Sequence, residues 1–187
     1  KLESIKPNYD LFRRKCNKID VFINCAGVGI FGSIENITYK ELIKVFNVNT
    51  LGPILLLREV VVDMKRARNG LIINIESIAS VKAFSHGAMY ISSKHALAGF
   101  SESLWAELKQ DEIQVCSIRP GLVNTSFVDN VSSNHKLENA LLSKDIAHVV
   151  EMVVQQSSHS NISSIEIRPL KKSAQNLFHC IIDNKEN

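Results

Sequence analysis

"GLIINIESIASVKAFSHGAMYISSKHAL", residues 70–97, contains the transition that decides the architecture. Residues 70–77 form an apolar, β-branched run closed by Glu76 and Ser77, the pattern of a strand buried on both faces. From residue 88 to 109 the chain reads as a long helix. Tyr90 and Lys94 lie four apart on that helix and share one face, and Ser77 ends the strand before it. Tyr-x-x-x-Lys is by itself a cheap pattern, expected by chance at roughly a quarter of a match in a chain of this composition. Whether the three residues form a catalytic set depends on what surrounds them.

Outward from this stretch the same alternation repeats. A helix over 3–16, interrupted by Pro7, leads to the buried run "IDVFINCAG" (19–27). Thr38 and Glu41 have capping-box spacing and open a helix expected to reach Arg66, bent at Gly52-Pro53. "IQVCSIRPG" (113–121) is a further strand, 124–142 a polar loop, and Ser143 caps a helix over 144–156. "ISSIEIRP" (162–169) closes the series, and a loose tail is expected after Leu170. Buried strands alternating with long helices define an α/β domain with a parallel sheet. Ligands bind such sheets outside the carboxyl ends of the strands. Three strand exits, Asn24-Cys25-Ala26-Gly27, Glu76-Ser77 and Pro120-Gly121, therefore bring polar and turn-forming residues to one edge.

Composition excludes several classes. A chain of 187 residues with 45% hydrophobic and 22% charged residues suits one globular domain. The net charge of +3 is small, and its main cluster, Lys65-Arg66-Ala67-Arg68, falls at a helix end, where the dipole favours cations. No aromatic residues interleave it, so no nucleic-acid partner is expected. The longest apolar run, Ile54 to Leu57, is far shorter than a membrane span, so no membrane partner is expected either. Cys16, Cys25, Cys116 and Cys180 form no C-x-x-C pair, and the six histidines have no ligand spacing, so no metal site is expected. Cys25 and Cys116 fall in apolar runs and read as buried, reduced thiols, which implies a cytoplasmic setting.

The chemistry open to Ser77, Tyr90 and Lys94 follows from charge. A free phenol titrates near ~10, too high for a base at neutral pH. A nearby ammonium shielded from water favours phenolate. A serine hydroxyl can hold an alcohol or carbonyl oxygen beside it. The set suits proton transfer on an alcohol/ketone pair, with the hydride on a separate carrier.

These motifs, taken in order, resemble the short-chain dehydrogenase/reductase family. Asn24-Cys25-Ala26-Gly27 is similar to the family's Asn-Asn-Ala-Gly after its fourth strand, with cysteine for the second asparagine. Asn49 falls where the family keeps a catalytic asparagine, and Ser77, Tyr90 and Lys94 follow at family spacing. Pro120-Gly121 and Thr125 resemble the segment that contacts the nicotinamide, and Ile165-Glu166-Ile167-Arg168-Pro169-Leu170 resembles the closing strand of members acting on small hydroxy acids. The resemblance implies a Rossmann-like, doubly wound parallel sheet over 1–170, with 171–187 as a tail. It implies an NAD(P)-dependent oxidoreductase, with NAD or NADP as cofactor, acting on a small-molecule alcohol or carbonyl such as a hydroxy acid. In it Tyr90 is the general acid/base, Lys94 lowers its pKa and holds the nicotinamide ribose, and Ser77 orients the substrate oxygen. Asn49 opens the helix backbone to a proton-relaying water. Asn24, Ala26, Gly27, Pro120, Gly121, Val123 and Thr125 place the cofactor, with His86 lining the substrate pocket beside Ser77. A homo-oligomer through the helices near 39–66 and 88–109 is also implied.

One family element has no counterpart in the chain. The eight glycines include no Gly-x-x-x-Gly-x-Gly turn before Asn24 to cradle a pyrophosphate. The chain is expected to start in the helix leading to the family's fourth strand, short of two βαβ units, on the order of 60–75 residues. The strand at 20–24 should then present an apolar edge. A piece of a longer protein, a truncated gene and a half supplied by a partner chain are all compatible with this, as is a non-catalytic fragment or interaction module unable to hold the dinucleotide alone.

Overall fold

The computed structural model describes residues 1–127 and 139–171. The expected tail and the middle of the 124–142 loop lie outside the described residues. Four strands, β1 (Val21–Asn24), β2 (Gly70–Ile75), β3 (Ile113–Pro120) and β4 (Ser164–Ile167), pair in parallel in the order β1-β2-β3-β4. The helices α1 (Ile5–Arg13), α2 (Tyr39–Phe46), α3 (Gly52–Ala67), α4 (Ala88–Leu108) and α5 (Ser143–Val154) alternate with them. The α/β reading and every expected strand are present, although the strand at 19–27 is cut to its central four residues.

Strand periodicity sorts the core into two layers. Ile72, Ile113 and Val115 pack with Leu57, Val60 and Met64 of α3, Leu104 and Leu108 of α4, and Tyr9 of α1. The alternate residues Leu71, Ile73, Cys116 and Ile118 pack with Val153 of α5. The long α4 carries its buried residues at 90, 93, 94, 97, 98, 101, 104 and 108, the spacing of a single helix face. The N-terminal helix docks through polar contacts: Tyr9 and Arg13 both bond Asp63 Oδ2 on α3, each at 2.5 Å.

The long helix expected over 39–66 is bent by a π turn over Asn47–Leu51, just ahead of Gly52-Pro53. The Gly52 amide bonds Asn47 O, five residues back, and a Cβ on Gly52 would come within 2.9 Å of that same oxygen. Pro53 has no N–H for the carbonyl of Asn49. Backbone and glycine together force the wide turn that Pro53 alone would only kink. The turn keeps α2 and α3 continuous, so Tyr39–Ala67 becomes long and apolar enough to cross a membrane by length and composition, contrary to the short apolar run in the sequence. Its inner face, with Val45, Leu57, Val60 and Met64, is buried in this domain.

The helix expected to be capped by Ser143 instead starts at that residue. The cap position is Leu142, whose amide donates to Asp145 Oδ2 at 2.7 Å, so the acidic side chain three residues on does the capping.

The expected apolar edge is present. Among the described residues β1 pairs only with β2, and Val21 and Ile23 share the sheet face of Leu71 and Ile73. α5 covers that face over β2 and β3 but leaves Ile23 44% exposed. The apolar cleft of about 970 Å³ beside β1 is lined by α1, β1 and α2–α3 residues, among them Ile5, Phe12, Phe22, Ile43 and Leu56. Truncating Ile72, fully buried, to alanine should cost about 2–5 kcal/mol in denaturant unfolding. The same change at Ile23 should cost under ~1 kcal/mol. Equal losses would mean that β1 is covered in solution.

Candidate active site

The carboxyl ends of β1 and β2 meet the first turns of α4 and the π turn. Asn24 ends β1 buried, its amide donating to Asn74 Oδ1 (3.3 Å), and Asn74 donates to Ser101 Oγ of α4 (2.9 Å). Past Asn24 the chain turns outward, so Cys25 is exposed rather than buried, while Cys116 is buried as expected. Ala26 borders the cleft beside β1.

Asn49, with 0% exposure, ties three elements together. Its Oδ1 accepts from Val28 N (2.8 Å), and its Nδ2 donates to Val28 O (2.9 Å) and to Ser93 Oγ (2.9 Å). Ser93 in turn donates to Tyr90 O (2.7 Å), and Thr50 donates to Ser93 O (3.0 Å). The Gly27 backbone lies against the pair behind it, since a Cβ there would stand 3.6 Å from Lys94 Nζ and 3.7 Å from Asn49 Oδ1. Gly27, Asn49 and Lys94 thus lie together, while Asn24 bonds Asn74 instead.

Ser77 caps a short turn over Ile78–Ser80, its Oγ accepting from Ala79 N (3.1 Å), and its hydroxyl acts on the Tyr90 phenol. Burial pushes the Tyr90 phenol up, and Ser77 is the opposing pull. The Lys94 ammonium stands 6.0 Å from the Tyr90 ring centre and donates to Ile75 O (3.1 Å). Burial and Ser77, not Lys94, therefore set the Tyr90 phenol in this arrangement. Lys94, 4% exposed, is itself driven down to about 8 by burial, against the upward pull of Glu76 and Cys25.

The Tyr90 ring is walled by aromatics from three loops. Phe31 lies 5.3 Å and Phe127 5.7 Å from it between ring centres, with Phe84 6.2 Å from Phe31. A Cβ on Gly29 would come within 2.5 Å of Phe31 and 2.8 Å of Phe127, so glycine is what lets these rings close over the tyrosine. His86, at φ 60°, bonds Ser33 through Nδ1 (3.3 Å) and Gly32 through its carbonyl (2.9 Å), pinning one loop to another. At the far strand, Pro120 ends β3, Gly121 N donates to Ile167 O (2.7 Å), and Val123 bridges to Leu141. Gly121 is thus tied to β4, and Phe127 at the end of the same segment reaches Tyr90.

Sequence reasoning missed Ser93, Asn74 and the Glu76–Arg119 pair. Ser93 could have been found from its helical register, three residues after Tyr90. Asn74 and Glu76 are polar interruptions of an apolar strand, a signal that a specific partner is waiting inside.

The chain matches the short chain dehydrogenase family over residues 1–136 and belongs to it. It is 41% identical over 113 residues to a 3-ketodihydrosphingosine reductase of Bacteroides thetaiotaomicron, covering 60% of this chain and 42% of that protein. Among solved structures it is similar to 4-hydroxyisoleucine dehydrogenase complexed with NADH (27% identity, TM-score 0.78, 90% of this chain and 76% of that one). The closed form of serine dehydrogenase complexed with NADP+ shares the fold (24% identity, TM-score 0.86, 94% and 75%). The chain spans about two-fifths to three-fifths of the length of the first curated relatives it matches. The relatives are oxidoreductases on a Rossmann-like fold, and structural neighbours carry NADH or NADP.

A lysine depressed by burial titrates below its unfolded value of ~10.4, so between about pH 8 and 10.5 the unfolded chain binds one proton more. Stability from this group must rise with pH across that window and be lost as pH falls through about 8. The stability of wild type minus that of Lys94→Met should therefore grow by on the order of 3 kcal/mol between pH 8 and 10.5. A flat difference would show that Lys94 is solvated.

Proposed function

We propose that the chain is the catalytic portion of an NAD(P)-dependent oxidoreductase that interconverts an alcohol and a carbonyl, with Tyr90 as general acid/base. The observation that carries this reading is the convergence of Asn49, Ser77, Tyr90 and Lys94 at the carboxyl ends of β1 and β2, in a chain of this family.

The residues present fit the nicotinamide-ribose end of a dinucleotide. The buried Lys94 ammonium has three donors and one acceptor, Ile75 O, among the described residues, leaving two to hold a ribose diol. They do not include a glycine-rich turn for the pyrophosphate. When bound, the dinucleotide supplies hydride donation or acceptance at the substrate carbon. Ser77 and Tyr90 offer two hydroxyls to one substrate oxygen. The Tyr90 phenol, raised by burial, can give a proton to an oxygen gaining negative charge and take it back in the reverse reaction. Asn49 fixes the Val28 backbone at the rim, and Pro53 has no N–H to offer the Asn49 carbonyl.

Phe31, Phe84 and Phe127 support a substrate whose carbonyl adjoins an apolar group, in preference to the hydroxy acid implied by the sequence. A carboxylate pressed against these rings would lose its water without gaining a counter-charge from them. Self-association through 39–67 and 88–108 is part of the reading, supported by the exposed Leu51 and Val62. So is a reducing, cytoplasmic setting, supported by the free thiols Cys16, Cys25 and Cys116.

The bare β1 edge supports a second reading, a fragment or interaction module that keeps the chemical residues without a dinucleotide grip. Calorimetric titration of the folded chain with NAD+ and NADPH separates the two. Binding of either, with turnover of a ketone panel that falls about 10²–10⁴-fold in Tyr90→Phe, is the outcome expected for the enzyme. A folded chain that binds neither belongs to the second reading.

A further inference from the structure

Glu76 closes β2 at the bottom of the site, yet nothing in the acid/base chemistry of Tyr90 calls for a buried carboxylate there. Its side chain has 0% exposure. Oε1 accepts from Ser117 Oγ (2.6 Å), Oε2 accepts from Arg119 Nε (3.0 Å), and its own amide bonds Ile118 O (2.8 Å). Both side-chain partners are on β3, so the acid is fixed to the neighbouring strand. The residue before it, Ile75, supplies the carbonyl on which the Lys94 ammonium rests.

A buried ammonium held by one neutral carbonyl is expensive, because desolvation far exceeds what a single amide oxygen returns. The titratable groups that act on or face Lys94 are Tyr90 on its own helix, Cys25 past β1 and Glu76 just past β2, with Cys116 and Arg119 of β3 as neighbours of Glu76. Glu76 is the carboxylate among them. Its negative charge raises both the Lys94 ammonium and the Cys116 thiol, and Arg119 opposes it at Cys116.

We propose that Glu76 is a positioning residue for the reaction: its carboxylate, fixed to β3 by Ser117 and Arg119, supplies the counter-charge that holds the Lys94 ammonium in the site. It acts through Lys94 and touches neither Tyr90 nor the substrate side. Arg119, 22% exposed at its side chain, sets how much of that charge Lys94 sees. The inference rests on Lys94 being the lysine of the proposed reaction, but its test needs no turnover.

A purely structural ion pair and a tuning pair predict different signs. If Glu76–Arg119 only braces β2 against β3, then E76Q and R119Q damage the same contact and disturb Lys94 alike. If Glu76 is the counter-charge, E76Q removes an anion near Lys94 and R119Q exposes one. NMR titration of 13C-labelled lysine side chains in the full chain, with Lys94 assigned by its loss in K94M, reads this directly. The expected result is a downward shift of the Lys94 titration in E76Q and an upward shift in R119Q. No shift in E76Q, or shifts of the same sign, would overturn the proposal. Should E76Q fail to fold, R119Q against R119K carries the test: an upward shift with glutamine and near wild-type behaviour with lysine support it, and equal shifts overturn it. Opposite shifts in a chain that binds no dinucleotide would sink the functional reading and leave this one standing.

Discussion

The side chain of Asn49 is the joint on which the site depends. It replaces a missing piece of backbone ladder by bonding both the amide and the carbonyl of Val28, and it reaches α4 through Ser93. The loop after β1 has no strand partner on its outer side, so these bonds hold it against Lys94. They require a side chain with donor and acceptor at one tip, which limits the choice to an amide. They also require the π turn, because only the widened helix carries position 49 deep enough to be fully buried. Gly52 and Pro53 make that turn, and their effect on the site is felt through Asn49.

Around this joint the site is dry, and dryness sets the charge states. Burial raises the Tyr90 phenol and depresses the Lys94 ammonium, both toward the neutral form. The groups that oppose it are local: Ser77 for the phenol, Glu76 for the ammonium. Phe31, Phe84 and Phe127 pack around Tyr90 and complete its burial.

Much of this was legible in the sequence because it is local or periodic. Tyr90 and Lys94 share a helix face by spacing, Ser77 ends a strand by composition, and the parallel sheet follows from buried runs between long helices. What escaped was set by contacts across the chain. Ser117 and Arg119 meet Glu76 at separations of 41 and 43 residues, through a strand register that no local pattern encodes. Cys25 reads as interior from its apolar neighbours, yet β1 ends one residue before it. Leu142 caps a helix only because Asp145 reaches back, so the serine beside it misleads. The apolar edge of β1 was foreseen from the absence of a glycine-rich turn, and its exposed Ile23 sits where parallel sheets are otherwise covered on both faces.

The central claim is that the site is assembled in this chain as it stands, with Asn49 as its joint. Hydrogen exchange at the Val28 amide tests it most directly, since that amide bonds Asn49 Oδ1 and no strand. Protection of Val28 in wild type, lost in Asn49→Ala while the β2 amides stay protected, is the expected result. A Val28 amide that exchanges freely in the folded wild type would show that the loop is loose and the site unformed.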